Sequence, residues 1–540
     1  MLLITDRAGP QTAVHCPCGY TFSMGIELTE PEVPDDAVGR RVFCGAARAT
    51  VRYVGPVPPT EGLWLGVEWD EPSRGKHDGS HDGVHYFTCR DATGGSFVRP
   101  AKVSFGVDYL TAVRLAYDTD TDTPLSDTVS AMFKEKPIEE RSFQSLTSAL
   151  LGERQVNGPG RDGDIRKTTP NIKWLDMSRS LLSSWEDVST ITEQLEGLQV
   201  LQLSYNTLGL TSDPSSLSRS FFSLKVLSLI RCDLTWPQIL ECAPMWPQLE
   251  DLCVEDNNIT ELQRPEGVLQ NVSNLSLSRN PLVQETVVNL SALPRLQQLT
   301  LSQCGLSLIR FTDAAPGSQT DKFPELREVN LNDNNITEWC VVDELAKLGS
   351  LKKLSCRGNR LTSCDGNRKT ADQILIAKLG QLVTLNNCQI HPEERRGAEL
   401  DYIKMFGGEW LKTGGRSQTS DQFTLQHPRY QSLIDKYGAP DEGELTKPKS
   451  FALKIQLLKI TFLFPDDAER APIHKTVPAS MLVQKVKGLL QRLLKVPVAD
   501  LKLTYCTPKK LGTEFELDSD TKTLQFYTIE EGDQVLVRWS

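Results

Sequence analysis

Gly75-Lys76-His77-Asp78-Gly79 places an ammonium, an imidazole and a carboxylate between two glycines. Glycine carries no Cβ, so a bound chain can approach its backbone closely. A lysine between glycines attracts carboxylates through charge-assisted hydrogen bonds. This chemistry suits an acidic peptide or a terminal carboxylate. A metal site is the competing reading, because His77, His81 and His85 recur every four residues. That spacing lines up ligands only on a helix, and the Asp-Gly pairs at 78–79 and 82–83 break one. The His15-Cys16-x-Cys18 cluster has no second pair nearby. No metal or other cofactor is therefore expected.

Catalytic constellations are missing too. A phosphate-binding loop ending at Gly75-Lys76 would need glycine at Asp70 and Ser or Thr at His77. There is no G-x-S-x-G elbow, H-E-x-x-H helix or paired C-x-x-C zinc pattern. Of the seven histidines, three lie in the one loop, which leaves few candidates for a general base. The chain is not expected to be an enzyme.

The lysine loop needs a scaffold, and residues 38–110 supply a small all-β one. Ala49-Thr-Val-Arg-Tyr-Val54 and Trp64-Leu-Gly-Val-Glu-Trp69 alternate apolar and polar side chains, as short barrel strands do. The glycine-bracketed loop is followed by Tyr86-Phe-Thr-Cys89 and then Gly95-Ser-Phe-Val-Arg-Pro100. In this order and spacing the segment resembles the CAP-Gly domain, an SH3-like β-barrel. The resemblance implies a groove for the acidic, aromatic-ending tail of α-tubulin and for related Glu-Glu-Tyr/Phe peptides. It implies that Gly75, Lys76, His77, Asp78 and Gly79 form the binding loop. Trp64 and Phe97 would line the slot for the terminal ring, with Arg99 as a second cation. Two departures stand out: His77 replaces the family's usual Asn, and Val57-Pro-Pro59 replaces a groove aromatic.

Residues 171–405 carry an internal repeat, L-x-x-L-x-L-x-x-N/C-x-L, whose clearest copy is Leu198, Leu201, Leu203, Asn206 and Leu208. Other copies start at Ile172, Leu224, Leu249, Val272, Leu296, Leu326 and Leu351, with a degenerate one at Leu382. Longer intervals mark insertions at 311–322 and 363–372. This is leucine-rich-repeat spacing. Each unit buries its leucines against its neighbours and predicts an α/β solenoid with a parallel sheet on its concave face. The Asn or Cys satisfies backbone groups at the turn; Cys232 and Cys304 take that position and Cys356 an inward-facing apolar one, so all three are expected as core thiols. The charged stretch from Ile390 to Tyr402 is assigned as the C-terminal cap.

From 451 to 540 the order is an apolar strand at Leu453–Phe464, a helix at 480–494, then strands at Leu501–Tyr505 and Asp533–Trp539. It resembles a ubiquitin-like α+β β-grasp domain. The chain ends Val-Arg-Trp-Ser, without the glycine carboxylate that conjugation needs, so a docking module is expected. Polar, glycine-rich composition assigns an extension to 1–37 and linkers to 111–170 and 406–450.

Acidic residues outnumber basic ones, 70 to 59, for a net charge of −11. That excess argues against phosphate-driven nucleic-acid binding and against a polybasic membrane anchor. Thirteen thinly spread cysteines and an N-terminal apolar run too short for a signal-peptide core suit a reduced, intracellular chain. The order of the three modules resembles the tubulin-folding cofactors. It implies capture of α-tubulin and assembly and disassembly of the α/β-tubulin heterodimer with cofactors D and C, in the cytoplasm and at the cytoskeleton. Cofactor B and the proteasome are further candidate partners. A microtubule-binding adaptor or plus-end protein, and a ubiquitin-like proteasome shuttle for tubulin, remain open at this point.

Overall fold

The computed structural model describes residues 33–117, 143–363, 366–415, 420–440, 457–467, 469–506, 514–527, 529 and 532–539. The His15-Cys16-x-Cys18 cluster, most of the 1–37 extension and residues 118–142 of the expected linker lie outside them. They form two compact units: residues up to 360 with 379–390, and residues 361–378 with 391 onward. Among the described residues no helix is long and apolar enough to cross a membrane.

In the first unit, strands Arg41–Cys44, Ala47–Val57, Thr60–Trp69 and Gly95–Val98 pair antiparallel in that order. One side of the sheet buries Val42, Ala49, Val51, Leu65, Val67 and Trp69. Side chains alternate along a strand, so Trp64 and Gly66 face the other side, with Phe97 directly opposite Gly66.

The solenoid sheet has eleven strands among the described residues. They run parallel from Ser148–Leu150 to Thr384–Leu385, and Cys388–Gln389 closes the series antiparallel. Each short strand buries its central residue, as Leu175, Leu201, Leu227 and Leu252 show. The turn asparagines stitch the coils together. Asn206 donates to the carbonyls of Met177 and Leu203 at 2.8 and 2.9 Å and accepts from the Ser180 amide at 2.8 Å. Asn257, Asn280 and Asn334 repeat this pattern. Where cysteine replaces asparagine, the thiol takes the donor's place: Cys232 Sγ lies 3.4 Å from the Leu203 carbonyl and Cys304 Sγ 3.3 Å from that of Leu277. Cys232, Cys304 and Cys356 are buried, and burial pushes the Cys232 thiol up to about 12.

Among the described residues, parts of both segments read as linkers are structured. Within 111–170, helix Tyr109–Tyr117 buries Ala112 and Val113, and Val156–Gly158 pairs with Val107–Asp108. Ser148–Leu150 is the first strand of the solenoid sheet, parallel to Trp174–Asp176. These elements are too short to show a period against surrounding Gly, Pro and Thr.

In the second unit the helix Pro392–Lys412 runs past the expected boundary at 405, and Asp421–Gln426 and Tyr430–Tyr437 follow it. Gly407-Gly408 reads as a breaker. Two helical glycines cost about 1 kcal/mol each, less than the burial of Trp410, Tyr430, Leu433 and Ile434 returns. The segment 361–378, assigned to the solenoid by sequence, contributes helix Arg368–Lys378, which packs on Pro392–Lys412. The fully buried Glu399 accepts from Arg429 at 2.6 Å, Lys436 at 2.8 Å and the Tyr437 hydroxyl at 2.7 Å. Burial opposes its charge, and these donors outweigh burial and hold the carboxyl below its ordinary value. His427, 2.6 Å from the Tyr402 hydroxyl, is pushed down to about 4 by burial and by Lys378. Both groups bind protons more weakly folded than unfolded. Stability is therefore complete above the ordinary histidine value of about 6.5 and declines as pH falls toward 4. Hydrogen exchange across 392–437, corrected for the chemical rate, should show protection falling over that window, and an unchanged profile would refute the assignment.

The C-terminal fold is a five-stranded sheet in the order Ile473–Pro478, Leu457–Leu463, Gln534–Trp539, Leu501–Cys506, Phe515–Glu516, with helix Val483–Leu494. Leu457–Leu463 and Gln534–Trp539, first and last of these in chain order, pair parallel, the β-grasp arrangement. Val483, Val486 and Leu490 pack into its core. Residues 453–456 of the expected first strand lie outside the described residues.

Candidate functional site

The lysine loop is pinned to the barrel through its own backbone. The Lys76 and His77 amides donate to the Gly95 carbonyl at 2.7 and 3.2 Å, and the Gly95 amide returns a bond to the His77 carbonyl at 2.8 Å. Asp78 accepts from the Ser80 amide at 3.0 Å, a bond that foremost holds its carboxyl below the usual range. His77 Nδ1 accepts from the Gly79 amide at 3.0 Å, and burial lowers the affinity of its ring for a proton. A neutral His77 with Nδ1 accepting carries its proton on Nε2. Lys76 is exposed and joins no ion pair among the described residues.

The glycines serve a different purpose from the one expected. A Cβ on Gly75 would lie 1.9 Å from the Thr93 carbonyl oxygen, and one on Gly79 1.7 Å from that of Phe87. The space is filled by the barrel's own backbone, so these glycines secure close packing within the domain. Only Gly79, at φ +104°, also needs the left-handed region.

Phe97 is the hub of an aromatic surface. His77 stacks on it at 5.0 Å, and Tyr86, Phe87 and Tyr53 meet it edge-on at 5.4, 5.5 and 6.4 Å. His81 stands 6.2 Å away. Gly66 makes room for this cluster, since a Cβ there would be 2.4 Å from the Phe87 ring. Sequence reasoning met His81 only as a metal candidate and Tyr86 and Phe87 only as part of the motif, and it placed none of Tyr53, Tyr86, Phe87 and His81 at the binding surface. A glycine inside a strand between Trp64 and Glu68 was the available signal of a close approach.

Trp64 and Arg99 form a separate pair on the same side of the sheet. The Arg99 guanidinium lies 3.8 Å from the Trp64 ring centroid and donates to the carbonyls of Glu61 and Leu63 at 2.9 and 3.2 Å. Arg99 is thus engaged in clamping the first residues of the Thr60–Trp69 strand. The Trp64 indole N–H is buried without an acceptor among the described residues. Nearby His85 bonds to Ser80 and Thr88. Among the described residues no three His, Cys, Asp or Glu side chains gather as a metal group.

Barrel, repeat sheet and β-grasp fold together define a multidomain CAP-Gly, leucine-rich-repeat and ubiquitin-like protein. The CAP-Gly domain model matches residues 38–103. Tubulin-specific chaperone E of Danio rerio is 56% identical over 518 residues, covering 94% of this chain and 99% of that protein. The Homo sapiens counterpart is 47% identical over 522 residues, covering 93% and 99%. The solved C-terminal ubiquitin-like domain of mouse tubulin-specific chaperone E is 50% identical and covers 17% of this chain and 94% of that one, with a TM-score of 0.16. The chain belongs to the tubulin-specific chaperone E family.

Proposed function

We propose that the chain is a tubulin-folding cofactor that captures α-tubulin, holding its acidic tail at the lysine loop of the barrel and its folded body on the solenoid. The observation that carries this reading is the exposed, unpaired Lys76 beside the half-exposed Phe97 cluster. A cation next to a ring platform matches a tail of glutamates ending in an aromatic residue. Gly75, His77, Asp78 and Gly79 shape the loop in this reading, and Trp64, backed by Arg99, forms a further wall. Tethering by the tail raises the local concentration of the body, so neither contact need be tight alone. Through these contacts the protein assists assembly and disassembly of the α/β heterodimer with cofactors D and C, and with B as a further partner. The ubiquitin-like fold serves as a docking module, with the proteasome as a candidate.

Lys76→Ala tests the groove. Loss of a charged hydrogen-bond donor costs about 1.5–3 kcal/mol, so affinity for a peptide ending Glu-Glu-Tyr should fall roughly ten- to a hundredfold. Calorimetry with the full chain reads this, and equal affinities would discard the loop as the tail site. Size exclusion of tubulin mixed with the chain should show heterodimers separating. Co-sedimentation with intact microtubules without separation would favour the adaptor reading instead.

A further inference from the structure

One coil of the solenoid encloses a cavity of about 350 Å³. Leu299, Leu301, Leu326 and Val329, all buried, form its inner wall. The sequence of this single repeat explains the space. The neighbouring coils return through the 3-10 helix Gln284–Ala292 and the helix Trp339–Ala346. The coil between them carries the 311–322 insertion instead, and residues 301–327 form no helix. A coil without a helix leaves room between the two that flank it, and Val287, Val288 and Leu345 from those helices line the opening.

The insertion is tied down, so the space does not close by collapse. Lys347, 5% exposed, donates to the carbonyls of Phe311 and Ala314 at 3.1 and 2.9 Å and to Glu344 at 2.8 Å. Glu344 accepts in turn from the Phe311 amide at 2.7 Å, and the Thr320 amide donates to the Lys347 carbonyl at 3.0 Å. A buried ammonium persists only when paired and hydrogen-bonded, and these partners hold both ends of the insertion. Phe311 and Phe323 meet edge-on at 6.2 Å. Protein interiors keep few voids larger than a water molecule, because the lining of a void loses its contacts on one side. A fixed apolar space of this size is suited to an occupant that restores them.

We infer that this cavity binds a single-chain amphiphile with an anionic head, in chemical class a fatty acid. Its volume lies at the low end of the roughly 300–1,000 Å³ of small-ligand sites, which suits one chain of medium length. An apolar cavity of about 150 Å³ already binds benzene. The lining residues that reach solvent set the head group. Arg264, Arg310 and Lys322 stand there against Glu285 and Asp313. Asp313 is engaged by the Thr320 hydroxyl at 2.6 Å and the Asp321 amide at 3.1 Å, and Glu285 takes a bond from Gln284 at 3.3 Å. Arg310 is exposed and joins no hydrogen bond or ion pair among the described residues. A guanidinium with no partner beside an apolar cavity matches a carboxylate on an apolar tail. The site lies away from the lysine loop and requires nothing of the function proposed above.

Calorimetry with the full chain and three probes, each below its micelle-forming concentration, tests this: decanoate, 1-decanol and acetate. Decanoate should bind at one site, 1-decanol at least about tenfold more weakly for want of the charged hydrogen bond, and acetate not detectably. Arg310→Gln, a surface change that breaks no bond among the described residues, should weaken decanoate about tenfold and leave 1-decanol unchanged. Val288→Trp, which fills the cavity from the flanking 3-10 helix, should abolish binding of both. Decanoate should also raise the urea midpoint of the unmodified chain, since a ligand of the folded state stabilises it, and should not raise that of Val288→Trp. The surface variant keeps the test decisive even where the tryptophan strains its coil. Absence of decanoate binding, equal affinity for decanoate and 1-decanol, acetate binding as tightly as decanoate, or unchanged decanoate affinity in Arg310→Gln each overturns the proposal.

Discussion

Gly79→Ala is expected to unfold the lysine loop and most of the barrel with it. The added Cβ would sit 1.7 Å from the Phe87 carbonyl oxygen, a backbone atom that cannot swing aside. The residue also holds φ at +104°, outside the range open to alanine. Relief would require moving Phe87, which fills the space above Gly66 and supports Phe97. The cost should exceed about 4 kcal/mol, a size reserved for overpacking and backbone strain. Gly83→Ala is the internal comparison. Its φ is +79°, but nothing stands within 4 Å of the new Cβ, so only the left-handed penalty of about 1–2 kcal/mol applies. Hydrogen exchange over residues 38–103 of the full chain should show collapsed protection in the first variant and near-normal protection in the second. Equal behaviour would mean the close approach to Phe87 is not what the glycine provides.

Asn280→Ala should destabilise the solenoid by about 4 kcal/mol. The side chain is fully buried. It donates to the Val254 and Leu277 carbonyls at 3.0 and 2.8 Å and accepts from the Asn257 and Ile259 amides at 2.9 and 3.0 Å. Alanine leaves two buried amides and two carbonyls without those partners, each costing about 1–3 kcal/mol before relaxation. Because a repeat contacts only its neighbours, the loss falls on the coils around 254–282 and can split unfolding into two steps. A urea titration reads this as a lower midpoint or a biphasic curve. Asn280→Cys should recover part of the loss, since Cys232 and Cys304 already direct thiols at the equivalent carbonyls. If cysteine were no better than alanine, the donor role of the thiol would be wrong.

Between residues 198 and 361 the fold was legible because its interactions are local. Each Leu-x-Leu strand pairs with the next one about 25 residues on, and each asparagine reaches back one coil, so spacing alone specifies register. The same holds for the ubiquitin-like helix, whose apolar period placed it at 480–494, where Val486 and Leu490 turn into the core. Short, non-periodic pieces were not legible. Ser148–Leu150 becomes a strand only because Trp174–Asp176 offers it an edge, and Pro392–Lys412 continues through two glycines only because Trp410 has partners to bury against.

The candidate site divides along the same line. The residue types of the lysine loop, an ammonium among glycines on an acidic chain, are local chemistry and could be read directly. Tertiary structure decided what those residues contact. The two loop glycines are spent on the barrel's own backbone, Arg99 is folded onto Trp64, and the ring cluster that His77 stacks on is built from Tyr53, Tyr86 and Phe97 over the buried Phe87. These rings come from three separate stretches of chain and converge because Gly66 leaves a gap over the sheet. Convergence of that kind depends on pairing between strands tens of residues apart, which neither periodicity nor spacing encodes.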